Sequence, residues 1–200
     1  TEVVAVLRSE IDALSKTIDL NSPRSTDPNL ARFVAATDLL SAHRSYEAAE
    51  ALLNHLLVVK PGGIAKRALV GAMARSPNAA LVDGLLDALE GSSDPQALGN
   101  AIEVLGLRRE PLAIEPLKAM VGPGNNPTSR KAAIVSLGRI GDISSIDCLL
   151  PSLEEPELAE ETSVALLLLG EWQGVDYQAQ SLASHRPGMN RSLGEIVGLS

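Results

Sequence analysis

The sequence predicts an all-α fold: a right-handed α-solenoid of about five 32-residue helix pairs behind an N-terminal capping helix. Three observations lead there. Leu53, Leu85, Leu117 and Leu149 recur every 32 residues, as do Leu57, Leu89, Val121 and Leu153, and the small residues Ala42, Ala74, Gly106, Gly138 and Gly170. Turn chemistry recurs with the same beat. Hydrophobic residues make up 45% of the chain but aromatics only 2%, so Ala and Leu, both strong helix formers, do the packing.

Residues 1–26 read as an amphipathic helix and a linker. Val3, Val6, Leu7, Ile11, Leu14 and Ile18 fall near helical spacing from Glu2 to Leu20, and Asn21-Ser22-Pro23 breaks the helix. This helix lies outside the repeat register. It is either a cap on the first repeat or a docking element for a partner. The repeats occupy 27–58, 59–90, 91–122, 123–154 and 155–186, and residues 187–200 form a cap or tail. Asp27-Pro28, Lys60-Pro61-Gly62-Gly63, Asp94-Pro95, Asn126-Pro127 and Glu155-Pro156 mark the repeat starts. Pro suits the first helical turn, and Asp or Asn before it caps the free amides. A second bend divides each repeat, at His43-Arg44-Ser45, Arg75 to Asn78, Arg108 to Pro111, Gly141-Asp142 and Gln173-Gly174. On the first helices the apolar beat runs through Ala36, Ala68, Ala132 and Val164, and through Val70, Ile102, Ile134 and Leu166, with Asp38 breaking it. A lone helix pair cannot bury both of its apolar faces, so neighbours must stack. In the fourth repeat a second helix is expected with Ile146, Leu149, Leu150 and Leu153 on one face.

The fourth repeat carries the most complete motif: Arg130-Lys131-Ala132-Ala133, then Leu137-Gly138-Arg139-Ile140-Gly141-Asp142, then Ile146 and Leu149 to Leu153. It resembles the HEAT-like repeat of the phycobilisome-lyase type. Leu105-Gly106 and Leu169-Gly170 keep part of the motif, whereas Ala74 replaces the glycine in the second repeat. The resemblance covers about residues 27–186. It implies the solenoid fold, and its members include bilin lyase subunits, phycobilisome-degradation factors and adaptors. For a bilin lyase subunit or chromophore chaperone it implies a chain that presents a tetrapyrrole to a cysteine of a phycobiliprotein, alone or with a partner lyase subunit. Arg108 and Arg109 would then be the anchors for the pigment propionates. No lyase-specific motif can be carried over residue by residue.

Composition bounds the function. A net charge of −8 argues against a general nucleic-acid binder, which needs excess Lys and Arg. No apolar run is long enough for a membrane span. No signal peptide is visible, and the single cysteine, Cys148, excludes an internal disulfide, so the expected location is cytoplasmic. His43 lies at the bend of the first repeat, His55 on its second helix and His185 about four repeats away, without metal-site spacing, so no metal site and no catalytic residue is expected. Cys148 reads as a packing residue. The basic pairs Lys66-Arg67 and Arg130-Lys131 lie two repeats apart, as an anion-binding stripe or as ion-paired helix faces. The last repeat is acidic, with Glu155, Glu157, Glu160 and Glu161.

The function expected from these features is a non-enzymatic scaffold or adaptor that grips another protein and needs no cofactor. The second helices are expected to line a concave face. Their polar residues Glu50, Asn54, Asp83, Asp87, Glu115, Lys118 and Asp147 are the candidate contacts. Trp172 and Tyr177, where the apolar beat fails, either plug the open end or form an association patch with the acidic stretch before them.

Overall fold

The computed structural model describes residues 2–18, 27–59 and 63–170, and among these every regular element is helical. The elements are α1 (Glu2–Ser15), α2 (Pro28–Ser41), α3 (Tyr46–Val58), α4 (Ile64–Arg75), α5 (Ala79–Gly91), α6 (Pro95–Arg108), α7 (Ile114–Val121), α8 (Pro127–Ile140), α9 (Ile146–Leu149) and α10 (Ala159–Leu168). Short 3₁₀ turns at Pro111–Ala113, Ile143–Ser145 and Leu150–Glu154 complete them. The described residues thus hold four helix pairs and the first helix of a fifth, stacked as an α-solenoid.

The predicted punctuation forms the helix starts. Asp27, Asp94 and Asn126 accept from the backbone N–H of Asn29 (2.8 Å), Gln96 (2.9 Å) and Thr128 (2.9 Å), each with Pro at the first helical position. Ser45, Asn78, Glu110 and Asp142 do the same at the bends inside the repeats. The Asp142 carboxyl is held below its usual range chiefly by its bond from the Ser144 amide. Two bends use left-handed backbone: Gly141 (φ 85°) and, 32 residues earlier, Arg109 (φ 54°). Glu155-Pro156 departs from expectation. It ends the preceding 3₁₀ turn, and α10 begins three residues after Pro156, at Ala159, without a side-chain cap.

First helices pack on first helices in sequence, α2 on α4, then α6, α8 and α10. Their fully buried line is Thr37, Leu69, Ala101, Ala133 and Ala165, one residue beyond the expected one, and Val164 is exposed. Val70, Ile102, Ile134 and Leu166 are buried as the beat requires, and Asp38 is exposed. The glycine beat has a specific cause. A Cβ on Gly106 would lie 2.9 Å from the Ser136 Cα, and one on Gly138 would lie 2.6 Å from the Ala165 Cα. Both glycines let the next first helix approach along its backbone.

The second helix of the fourth repeat is the main correction to the sequence reading. Only one α-turn forms, Ile146–Leu149, before the backbone tightens into a 3₁₀ turn. Pro151 has no N–H for the bond that would continue the α-helix. Leu149 is fully buried, while Ile146, Leu150 and Leu153 are half-buried against the core.

The N-terminal helix α1 packs on α2 and α3 and covers the first pair. Its buried stripe is Val4, Ile11, Leu14 and Ile18, whereas Val3 and Val6, expected on the apolar face, are exposed. Positions 4, 11, 14 and 18 hold one face at 3.6 residues per turn, and 3 and 6 flank it. An ion pair from Arg8 to Glu50 (2.8 Å) and a contact of 3.0 Å between Asp12 and His55 fasten the helix to α3.

Candidate protein-binding grooves

The candidate polar positions of the second helices separate into two groups. Glu50 and Asn54, one turn apart on α3, face Asp83 and Asp87, one turn apart on α5. Together with Tyr46 and Leu53 they line a groove of about 260 Å³. The two helices are drawn together by Asn78. Its side chain caps α5 through the Ala80 amide (3.0 Å) and donates to the carbonyls of His43 (3.1 Å) and Ser45 (2.9 Å) at the bend before α3. Gly84 lets α5 close on α3, since a Cβ there would meet Leu53 Cδ1 at 2.3 Å. Glu50 is engaged by Arg8, while Asp83 and Asp87 are exposed and have no ion-pair partner among the described residues. Tyr46 stands 71% exposed at the rim. The result is an acidic groove over apolar side chains.

Glu115, Lys118 and Asp147 lie apart from it. Lys118 Nζ bonds Glu115 Oε1 (3.0 Å) and Ser144 Oγ (2.9 Å), tying α7 to the next bend. The Glu115 contact raises the Lys118 pKa. Asp147 is exposed on α9. Cys148 beside it donates to the Ser145 carbonyl (3.0 Å), and burial pushes its thiol up, with Lys118 opposing in part. That thiol stays protonated at neutral pH, which fits a packing residue.

The other candidates have structural partners or fall outside the described residues. Arg108, expected as a pigment anchor under the lyase reading, donates from one guanidinium nitrogen to the carbonyls of Met73 and Ser76, both at 2.7 Å. His55 is buried edge-on against Phe33, with ring centroids 6.1 Å apart. Trp172, Tyr177 and His185 lie outside the described residues. Among the described residues no group of three His, Cys, Asp or Glu side chains converges as for a metal. No described helix is long and apolar enough to cross a membrane.

Sequence reasoning missed a groove of about 640 Å³, which runs over the first helices and not the second. Lys66 on α4, Gln96 and Glu103 on α6, Lys131 and Arg139 on α8 and Glu161 on α10 line it. The signal was present in the register. Gly99 falls in line with Arg67 and Lys131, and the space over it is open. In the basic pairs Lys66, Arg130 and Lys131 are ion-paired. Lys66 meets Glu103 (2.7 Å), Lys131 meets Glu161 (2.9 Å), and Arg130 holds Glu155 through two bonds of 2.6 and 2.7 Å. Arg130 is buried, and its Nε also donates to the Val121 carbonyl (2.8 Å). It lowers the Glu155 pKa, and Glu155 raises that of Arg130.

Comparison with known proteins supports the architecture. Residues 82–170, from within α5 through α10, match the family model described as HEAT repeats. That stretch is similar to HEAT repeats, and the helix pairs before it share its 32-residue register. No curated protein matches it.

Proposed function

We propose that the chain is a non-enzymatic scaffold whose groove between α3 and α5 docks a basic, amphipathic segment of another protein. The observation that carries this reading is the convergence of Glu50, Asn54, Asp83 and Asp87 on one groove with apolar side chains beneath. Stacked helix pairs offer extended surfaces for partners. Two exposed aspartates without ion-pair partners among the described residues and one exposed tyrosine supply the charge complementarity and the anchor that such contacts use. The match to HEAT repeats supports a protein-interaction role in general terms.

The test is a titration with a fluorescein-labelled amphipathic peptide of leucine and lysine. Wild-type protein is expected to bind it, more weakly as salt rises. Charge reversal by Asp83→Lys with Asp87→Lys is expected to weaken binding by about tenfold or more, the size of two lost charge contacts. Unchanged affinity in the double variant refutes the groove.

A second reading keeps the repeat type as the clue: a bilin lyase subunit or chromophore chaperone for phycobiliproteins. Its propionate anchor would be the exposed Arg109, since Arg108 is committed to Met73 and Ser76. Visible absorption decides it. A bilin spectrum unchanged by the protein, with and without a phycobiliprotein, removes this reading.

A further inference from the structure

Each of the four described bends inside a repeat has an arginine in it or in the helix turn just before it: Arg44, Arg75, Arg108 with Arg109, and Arg139. Because the first helices stack on one another, these bends fall along one edge of the array. An acidic protein of net charge −8 therefore concentrates cations on one border. Arg75 is paired with Asp38 at 3.1 Å, and Arg108 is tied to carbonyls. Arg109 and Arg139 have no ion-pair partner among the described residues. The carboxylates at the same bends, Glu110 and Asp142, are occupied as helix caps.

Arg109 and Arg139 line one hollow of about 290 Å³ at the ends of α6, α8 and α10. Leu107 and Leu168, 44% and 55% exposed, share its lining with Gly106 and Gly138. The two glycines are buried and admit the backbones of the neighbouring first helices, which brings the arginine-bearing ends of α6 and α8 close together. Arg139 also lines the groove over α6, so this one side chain borders both. Arg109 is the one non-glycine with positive φ among the described residues, at the position where the next repeat has Gly141. An arginine held in a left-handed conformation that favours glycine marks a position where the side chain is retained at a conformational cost.

We infer that this hollow is a second docking site, taking an acidic, leucine-containing segment of a partner protein. Its carboxylates meet the guanidinium forks of Arg109 and Arg139, and its apolar side chain lies between Leu107 and Leu168. Planar forks match carboxylates with two parallel bonds. The site is distinct in place and charge from the groove between α3 and α5, so the scaffold holds two segments of opposite charge.

The experiment is fluorescence anisotropy with a short labelled peptide alternating leucine and glutamate. Wild-type protein is expected to bind it, and Arg109→Gly with Arg139→Gln to bind it at least about tenfold more weakly, equivalent to roughly 1.4 kcal/mol. Asp83→Lys with Asp87→Lys is expected to leave this peptide's affinity no weaker, so the two sites fail or stand separately. Thermal unfolding of the arginine variant confirms that it is folded, and Arg139→Lys serves as the milder variant, expected to lose affinity because the fork is lost. Three results overturn the inference: no binding by wild type, equal binding by the double arginine variant, or equal affinity for a peptide with alanine replacing leucine. Binding to vesicles of phosphatidylserine and phosphatidylcholine without binding to the peptide also overturns it, in favour of an anionic membrane surface.

Discussion

Between α2 and α6 the repeats are joined by polar side chains that reach back into an earlier repeat. Ser76 donates to the Ser41 carbonyl, Asn78 to those of His43 and Ser45, Arg108 to those of Met73 and Ser76, and Asn100 to those of Leu56 (2.7 Å) and Val59 (3.0 Å). Between α6 and α10 the junction adds close approach of backbone to backbone, at Gly106 with Ser136 and at Gly138 with Ala165, beside a bond from Ser136 Oγ to the Ile102 carbonyl (3.0 Å) and the ion pairs of Arg130 and Lys131. The first half has alanine where the second has glycine, and the match to HEAT repeats begins only at residue 82. Close approach of first-helix backbones at glycine therefore marks the second half, whereas in the first half hydrogen bonds to backbone carbonyls predominate, and the first half carries the acidic groove.

The strongest way to break this contrast is at Asn100, which is fully buried. Asn100→Ala leaves the Leu56 and Val59 carbonyls without their donor, and the expected loss is about 3 kcal/mol in urea unfolding. A loss below about 1 kcal/mol means that these carbonyls find other partners and the polar junction is dispensable.

Gly138→Ala is the counterpart in the second half. The added methyl meets the Ala165 backbone at 2.6 Å, which cannot yield as a side chain end does. Overpacking, less the gain in helix propensity, leaves an expected loss of about 2 kcal/mol. Ala74→Gly, at the same beat in the first half, is expected to cost only about 1 kcal/mol, the propensity difference. Equal effects of the two would erase the contrast.

A smaller effect is expected at the bends. Arg109→Gly relieves the left-handed backbone and is expected to stabilise the fold by about 0.5 kcal/mol, since the flexibility of glycine in the unfolded chain offsets part of the relief. The same change is expected to weaken the acidic peptide. Stability rising while affinity falls sharpens the case that Arg109 is kept for binding.

The pair of Arg130 and Glu155 adds a pH dependence to the second half. Glu155 has its pKa lowered from 4.5 in the fold by Arg130, so it adds stability above that value. The contribution is lost as pH falls through the lowered folded value. The stability difference between wild type and Glu155→Gln is therefore expected to be present at neutral pH and to shrink on acidification. A difference that grows towards acid pH contradicts the sign.

Much of this architecture was legible from residue spacing, because repetition averages over local exceptions. The Asp-Pro and Asn-Pro starts and the glycine beat each became an element or a contact. Misreadings arose where one residue overrode the pattern. Pro151 cut the second helix of the fourth repeat, and the buried line of the first helices fell at Thr37 and its equivalents because tertiary packing chose the face. Four of the candidate contacts met in one groove, since i,i+4 spacing on adjacent second helices brings them together. Glu115, Lys118 and Asp147 did not join them, since Lys118 turns to Ser144. The hollow at the bends escaped notice because it depends on which glycines stand beside which arginines across repeats, a relation that a linear register conceals.

Hydrogen–deuterium exchange with the leucine–lysine peptide bound tests the scaffold most directly. The account predicts slowed exchange in Tyr46–Val58 and Ala79–Gly91, lost in the Asp83→Lys, Asp87→Lys variant, and no change in Pro127–Ile140. Protection confined to Pro127–Ile140, or spread evenly over all helices, would contradict it.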